Sequence, residues 1–265
     1  MKFRPLVHED FDVVYAAFLE AFSDYVVPMQ LTREQLAEML TRRGWAPELS
    51  VGVFDDERMV AFTLNGFHDG VAYDSGTGVV PSHRRRGLAR QMMEFLTPRL
   101  HETGARRYVL EVIEANTPAT TLYRECGFVE TRRLQCWSYG ETPGQPRPVG
   151  RIGQIGQLRE AFDVEPSWQN ATHSVERATA EHVVLGNDDG FVIVFPANGD
   201  VPQLAVRREA RRRGVGTQLL RAAAAAAGKP LRLINVDDRD AGIAAFLEAV
   251  GAKRTIAQRE MVLAL

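Results

Sequence analysis

The sequence predicts two α/β domains built on mixed β-sheets with flanking helices, the first complete and the second truncated. Three observations carry this. Strand-like and helix-like segments alternate, with hairpins in front and strand–helix crossovers behind. A proline- and glycine-rich stretch interrupts the pattern near the middle. Two landmarks recur at nearly one spacing in the two halves. At 265 residues the chain has room for one large domain or two modest ones of ~100–200 residues.

The elements follow in order. Residues Lys2–Val7 read as a strand, and Phe11–Phe22 as an amphipathic helix with Asp10 available as N-cap. A second helix runs from Thr32, a side-chain cap with Glu34 in the first turn, to Arg43. Leu49–Phe54 and Met59–Phe67 flank a charged turn and read as a hairpin, followed by a strand at Val71–Val80. A helix from Arg86 to Glu102, a strand at Tyr108–Ile113, a helix at Pro118–Cys126 and a strand at Leu134–Tyr139 complete a first domain, residues 1–140. Residues 141–150 hold three prolines and two glycines without an apolar period and read as a linker.

The second domain, residues 151–265, begins with helices expected at Ile155–Phe162 and Ser167–Ala178. Strands at His182–Leu185, Gly190–Phe195 and Pro202–Val206 precede a helix at Arg213–Ala227. A strand at Leu231–Val236, a helix at Ala241–Val250 and a strand at Gln258–Ala264 close it.

Composition excludes several classes. A net charge of −2 lacks the basic excess of a nucleic-acid or membrane-surface binder. Two cysteines, Cys126 and Cys136, build neither a disulfide framework nor a four-thiolate zinc site, and the histidines lack metal-ligand spacing, so no metal is expected. No apolar segment is long enough to span a bilayer and the first residues lack an apolar signal region, so a cytoplasmic protein is expected.

The repeat is specific. Val79 to Ala89 aligns with Val206 to Gly216, placing Gly87 against Gly214 (214 − 87 = 127). Leu122 to Gly127 aligns with Phe246 to Gly251 (251 − 127 = 124). Each first landmark is a strand running into Arg-x-x-Gly-x-Ala or Arg-x-x-Gly-x-Gly and then a helix. The first amides of a helix have no intrahelical partner and sit at its positive end. Glycine lets a diphosphate approach them, and arginines add charge-assisted donors. Arg84, Arg85, Arg86, Gly87, Leu88 and Ala89 form one such turn, and Arg211, Arg212, Arg213, Gly214, Val215 and Gly216 the other. No P-loop run occurs, and Leu219 stands where a dinucleotide fingerprint needs its third glycine.

With these turns, and with Leu110-Glu111-Val112-Ile113, Asn116, Pro118-Ala119, Leu122-Tyr123 and Gly127-Phe128 following in order, the sequence resembles the GNAT superfamily of N-acetyltransferases. The resemblance covers nearly all of residues 1–140 and, more weakly, 180–265. It implies a tandem protein whose first module transfers an acetyl group from acetyl-coenzyme A to a primary amine of a small molecule or peptide, acting as a monomer or homodimer without nucleic acid or membrane. It implies that the turn binds the pyrophosphate and that the strand carrying Thr77 and Val79 (Val206 in the second module) bonds the pantetheine arm through its backbone. The sheet of the family splays between its fourth and fifth strands, and the thioester lies in that gap.

By the same resemblance Tyr123 protonates the departing sulfur; the bland alternative is a packed aromatic. An unperturbed phenol near pKa 10 is protonated at neutral pH, as a donor must be. Asn116 contacts the pantetheine or caps the following helix. The base is Asp74 or Glu111, each of which has a purely structural alternative, and none is required if the amine arrives partly neutral. In the second copy Leu247 takes the place of Tyr123 and Asp240 that of Asn116, so this half lacks the acid, while its turn can still hold coenzyme A. Residues Pro166–Asn170 either line an amine pocket at the domain boundary or start a helix with a packed Trp168. A different class, a non-catalytic coenzyme A-sensing scaffold, competes with the enzyme.

Overall fold

The computed structural model describes every residue except 10, 28, 141–149 and 151–160. The Asp10 cap, the prolines of the linker and most of the helix expected at Ile155–Phe162 lie outside the described residues. The chain divides into two compact units: Met1–Thr131 with Glu260–Leu265, and Arg132–Arg259. Among the described residues, no helix is long and apolar enough to cross a membrane.

In unit 1, β1 (Lys2–Pro5), β2 (Val51–Asp55), β3 (Arg58–His68) and β4 (Val71–Val79) pair antiparallel in that order. The crossover helix α3 (Leu88–Glu102) then returns the chain so that β5 (Arg107–Ile113) runs parallel to β4. A parallel neighbour requires such a crossover, which a two-residue turn cannot supply. Helices α1 (Phe11–Ala21) and α2 (Arg33–Arg42) bury Val14, Phe18, Leu36 and Leu40 against Phe54, Phe62 and Leu64. Thr32 caps α2 as expected, and Gln35 completes a reciprocal capping box. Gly66 on β3 is required by packing: a Cβ there would lie 2.0 Å from the Arg43 carbonyl oxygen, and this close approach brings Arg43 onto the sheet.

Helix α4 (Thr117–Glu125) follows β5 and carries Tyr123 inward. Strand β6 (Val129–Tyr139) begins in unit 1 and continues into unit 2, whereas the end of β11 (Lys253–Ala264) returns to unit 1. Met261, fully buried, joins Tyr108, Tyr123 and Phe128 in one apolar cluster, with Leu263 and Leu265 against it. The Leu265 amide donates to the Arg106 carbonyl, and Thr131 bonds the Glu260 carboxylate at 2.9 Å. Met261, Leu263 and Leu265 thus belong to the core that seats Tyr123.

Unit 2 repeats the plan with fewer parts. Strands β7 (Val183–Asn187), β8 (Gly190–Phe195) and β9 (Asp200–Val206) pair antiparallel. Helix α6 (Val215–Ala227) crosses to β10 (Leu231–Asp237), which touches β9 in parallel and β6 antiparallel. Helix α7 (Ala241–Ala249) stands where α4 stands in unit 1. The helix expected over Ser167–Ala178 is instead a 3-10 turn at Trp168–Asn170 and the short α5 (Thr172–Glu176). Ala171, at ψ 151°, is extended and separates them. The extended Ala171 interrupts the expected helix, and the bonds made by Asn170, described below, hold the turn in place.

Deleting side-chain volume at Met261 removes a contact inside the cluster that seats Tyr123. Met261→Ala is expected to lower stability by about 2–5 kcal/mol, read as a lower urea midpoint of the transition monitored through unit 1.

Candidate active site

Two features meet in unit 1. The first is the turn after β4. Arg85 and Gly87 both adopt left-handed φ, 61° and 73°, with Arg86 between them. Alternation of this kind points successive amides into one concavity, a shape suited to an anion. Helix α3 begins at Leu88, two residues later than the sequence suggests, because Gly87 must leave the helical region to turn the chain. Its first α-helical bond runs from Gln91 N–H to the Gly87 carbonyl, so the amides of Leu88, Ala89 and Arg90 precede the ladder. Arg85 and Arg86 are exposed, and Arg86 donates to the Ser82 carbonyl.

The three arginines differ in their use. Arg84 turns away from the concavity: Nε donates to the Val79 carbonyl at 3.1 Å, both terminal nitrogens reach Asp24 at 2.7 Å, and one also reaches the Ala21 carbonyl. The Arg84 guanidinium holds the Asp24 carboxyl below its usual range. The side chain that the motif offers as a charge-assisted donor therefore binds the end of α1 to the end of β4, and Arg85 and Arg86 remain to supply cationic charge at the turn.

The second feature is the end of the β4–β5 ladder. Pairing runs from Val71↔Arg107 to Asp74↔Leu110. A bulge against β3 falls at the same place, between Leu64 and Asn65, leaving Ser75 as the extra residue on β4. The Ser75 carbonyl accepts a bond from Arg43 at 2.8 Å. Beyond Asp74, β4 stays on β3 and leaves β5.

Asp74 sits at that point, buried at 6% exposure. Oδ1 accepts from the Gly76 amide at 2.9 Å; Oδ2 accepts from the Thr77 hydroxyl at 2.8 Å and from the Tyr123 hydroxyl at 3.1 Å. Burial raises its carboxyl to about 6, against the lowering effect of these donors and of the Arg43 charge. Burial, and then the Asp74 charge, push the Tyr123 phenol well above 10. The pair is one carboxylate able to take a proton near neutrality and one phenol that keeps its own.

The remaining expected residues take supporting places. Glu111 accepts a bond from the Tyr73 hydroxyl at 2.9 Å. Asn116 is the N-cap of α4, its Oδ1 accepting from the Ala119 amide at 3.3 Å, while its Nδ2 lies 3.5 Å from the Tyr25 hydroxyl. The Thr77 hydroxyl is committed to Asp74, and the Val79 carbonyl to Arg84. Sequence reasoning missed Asp24, Tyr25, Arg43 and Tyr108. Tyr108 is buried and donates to Asn65 at 2.8 Å. No spacing rule marks these residues, since loops and distant strands deliver them.

Unit 2 reproduces the scaffold. Arg212 and Gly214 have φ of 61° and 81°, and α6 starts at Val215. Arg211 donates to the Val206 carbonyl, to Asp163 and to the Ala161 carbonyl, repeating the bonds of Arg84. Arg212 and Arg213 are exposed beside the turn and Gly216 follows it. Asp240 caps α7 through the Ile243 amide, as Asn116 caps α4. Leu247 is fully buried where Tyr123 stands in unit 1.

Comparison with known proteins agrees with this duplication. Residues 13–128 match the acetyltransferase (GNAT) family and residues 175–251 match an acetyltransferase (GNAT) domain. The chain is a tandem GNAT-family protein. Over 86 residues it is 35% identical to the [ribosomal protein bS18]-alanine N-acetyltransferase of Salmonella typhimurium, covering 31% of this chain and 55% of that protein. The match thus spans about half the length of that relative. A GCN5-related N-acetyltransferase from Sphaerobacter thermophilus shares the fold at a TM-score of 0.73 and 15% identity, over 99% of this chain and 95% of that one. A tandem GNAT protein from the clavulanic acid biosynthesis pathway does so at 0.70 and 15%, over 99% and 98%. At such identities the likeness establishes the fold.

The raised Asp74 carboxyl has a consequence for this tandem GNAT protein's stability. Its folded value lies above the ordinary carboxylate value of 3.8, so the folded state binds more protons between those limits. The stabilising contribution is complete below pH 3.8 and is lost as pH rises through about 6. Asp74→Asn, which cannot ionise, is therefore expected to melt at a higher temperature than the wild type at pH 7, with the gain vanishing at pH 4, as calorimetry at both pH values would record.

Proposed function

We propose that unit 1 is an N-acetyltransferase that moves the acetyl group of acetyl-coenzyme A to a primary amine by direct attack. The buried hydrogen bond from Tyr123 to Asp74, placed where β4 leaves β5, carries this reading. The residues present suit the cofactor. A concave run of amides with two exposed arginines matches a diphosphate, and a glycine at φ 73° allows its close approach. The opening after Asp74 leaves β4 backbone from Ser75 onward without β5 as partner, which suits the amide-bearing pantetheine arm. Bound acetyl-coenzyme A supplies an activated acetyl thioester.

Asp74 receives a proton from the attacking amine as the new C–N bond forms. Once protonated, its carboxyl becomes a donor toward Tyr123, reversing the bond seen at rest. Tyr123 then turns its own proton to the sulfur as the C–S bond breaks. The Asp74 proton crosses the 3.1 Å contact and restores both groups. Atoms balance: amine and acetyl thioester become amide and free thiol. A carboxyl near 6 accepts at neutral pH, and a phenol held above 10 is fully protonated for its role. Glu111, bonded to Tyr73, orients the β5 side of the opening in this reading.

Leu247 favours a second reading for the other unit. A leucine gives up no proton, so unit 2 acts as a non-catalytic partner module.

Turnover of a panel of small amines and peptide N-termini, followed by thiol release, tests the assignment. Tyr123→Phe is expected to lower kcat about 10²–10⁴-fold, the range of general acid–base catalysis. In the wild type kcat is expected to fall as pH drops below about 6, with Asp74→Asn lowering kcat and erasing that limb. Full activity of Tyr123→Phe, or an unchanged limb in Asp74→Asn, would remove the pair from the mechanism.

A further inference from the structure

We infer that unit 2 fills its own cofactor gap with the Trp168–Asn170 turn, so that one chain binds a single coenzyme A, in unit 1. The inference takes from the reading above the place of the pantetheine arm, in the opening between the two parallel strands.

The parallel contact of unit 2 is even shorter than that of unit 1. Strands β9 and β10 share one registered pair, Asp200↔Arg232, beside the bond from the Arg232 amide to the Gly199 carbonyl. The backbone groups of Arg232 thus face β9. Just past Arg232, β10 shifts register against β6 between Leu233 and Val236, with Asn235 at a left-handed φ of 55°, so Ile234 lies outside the regular pairing. Asn170 meets β10 there: its Nδ2 donates to the Ile234 carbonyl at 2.6 Å. From the opposite wall, Gln203 Nε2 on β9 donates to the Asn170 carbonyl at 2.7 Å. One residue therefore bridges both strands past the point where they part. The Asn170 side chain takes up a main-chain carbonyl of β10 and its own carbonyl takes up a side chain of β9, so the turn lies across both strands where a pantetheine arm would run.

The plug is seated rather than incidental. Asn170 is 4% exposed and Gln203 2%. The Asn170 amide closes the turn onto the Ser167 carbonyl. Ser174 Oγ donates to the Trp168 carbonyl at 2.6 Å, and the Trp168 ring packs edge-on against His173. Val175, fully buried with Phe191, Ile193 and Phe195, anchors α5 beneath. In unit 1 the equivalent stretch of β4 carries Asp74, Gly76 and Thr77, and the side chain that reaches across to Asp74 is Tyr123 from α4. Unit 2 keeps the anion-shaped turn at Arg212–Gly214 and the clamp of Arg211 as scaffold, while the space for the arm is occupied.

Amide hydrogen exchange of the full-length protein, with and without saturating coenzyme A, tests this. The ligand is expected to slow exchange in residues 77–92 several-fold and to leave residues 204–219 unchanged, with calorimetry giving one ligand per chain. Slowed exchange in 204–219, or two ligands per chain, would overturn the inference. Absence of any effect in 77–92 would instead remove the reading of unit 1. A variant carrying Asn170→Gly with Gln203→Ala cuts both bonds across the gap. Provided its circular dichroism matches the wild type, it is expected to gain a coenzyme A footprint in 204–219. A folded variant with no such gain would show that the turn is not what closes unit 2, and wild-type stoichiometry decides the case if the variant fails to fold.

Discussion

Parallel strands that stop pairing leave a row of main-chain groups without partners, and much of this protein answers to that single constraint. Unpaired buried amides and carbonyls each cost about 1–3 kcal/mol, so something must occupy the opening. Unit 1 meets the requirement with a bulge at Ser75, a guanidinium from Arg43 on the Ser75 carbonyl, and a carboxylate that turns back onto the Gly76 amide. In unit 2 the Asn170 side chain bonds the main-chain carbonyl of Ile234.

The same constraint accounts for the state of Asp74. A carboxyl placed in a buried opening loses hydration, and three donors together with the Arg43 charge only partly compensate. The folded protein therefore holds a group that is less stable ionised than it would be in water. Such a cost persists where a site needs a proton acceptor near neutrality, and stability elsewhere absorbs it. Leu247, an apolar residue in the matching place of the other unit, carries no cost of this kind.

The two units keep the same turn and cap bonds and differ in the side chains beside them. The clamp of arginine on strand-end carbonyl, aspartate and helix-side carbonyl occurs in both units, with Arg84–Val79–Asp24–Ala21 answered by Arg211–Val206–Asp163–Ala161. The asparagine cap of α4 is answered by the aspartate cap of α7. These bonds shape a turn and start a helix whatever is bound. Leu247 stands where unit 1 has the Tyr123 phenol, so the two modules share a frame and differ in the side chains set into it.

Local chemistry made a large part of this legible without coordinates. The repeat of Gly87 in Gly214, the cap at Thr32 and the strand–helix order depend on neighbours in sequence, and the sequence by itself determined them. It determined as well that Tyr123 belongs to α4 and that Leu247 cannot replace it. Contacts between distant segments were decided only by the tertiary structure. No periodicity could show that Arg84 would spend its donors on Asp24, that Asp74 would face Tyr123, or that Met261 would support Tyr123 from the far end of the chain. Trp168–Asn170 is the clearest case: one helix is expected through this stretch, whereas the extended Ala171 breaks it and Asn170 bonds two strands more than thirty residues away. Energies of long-range contacts depend on which surfaces meet, and that information is not written at the spacing of a helix or a strand.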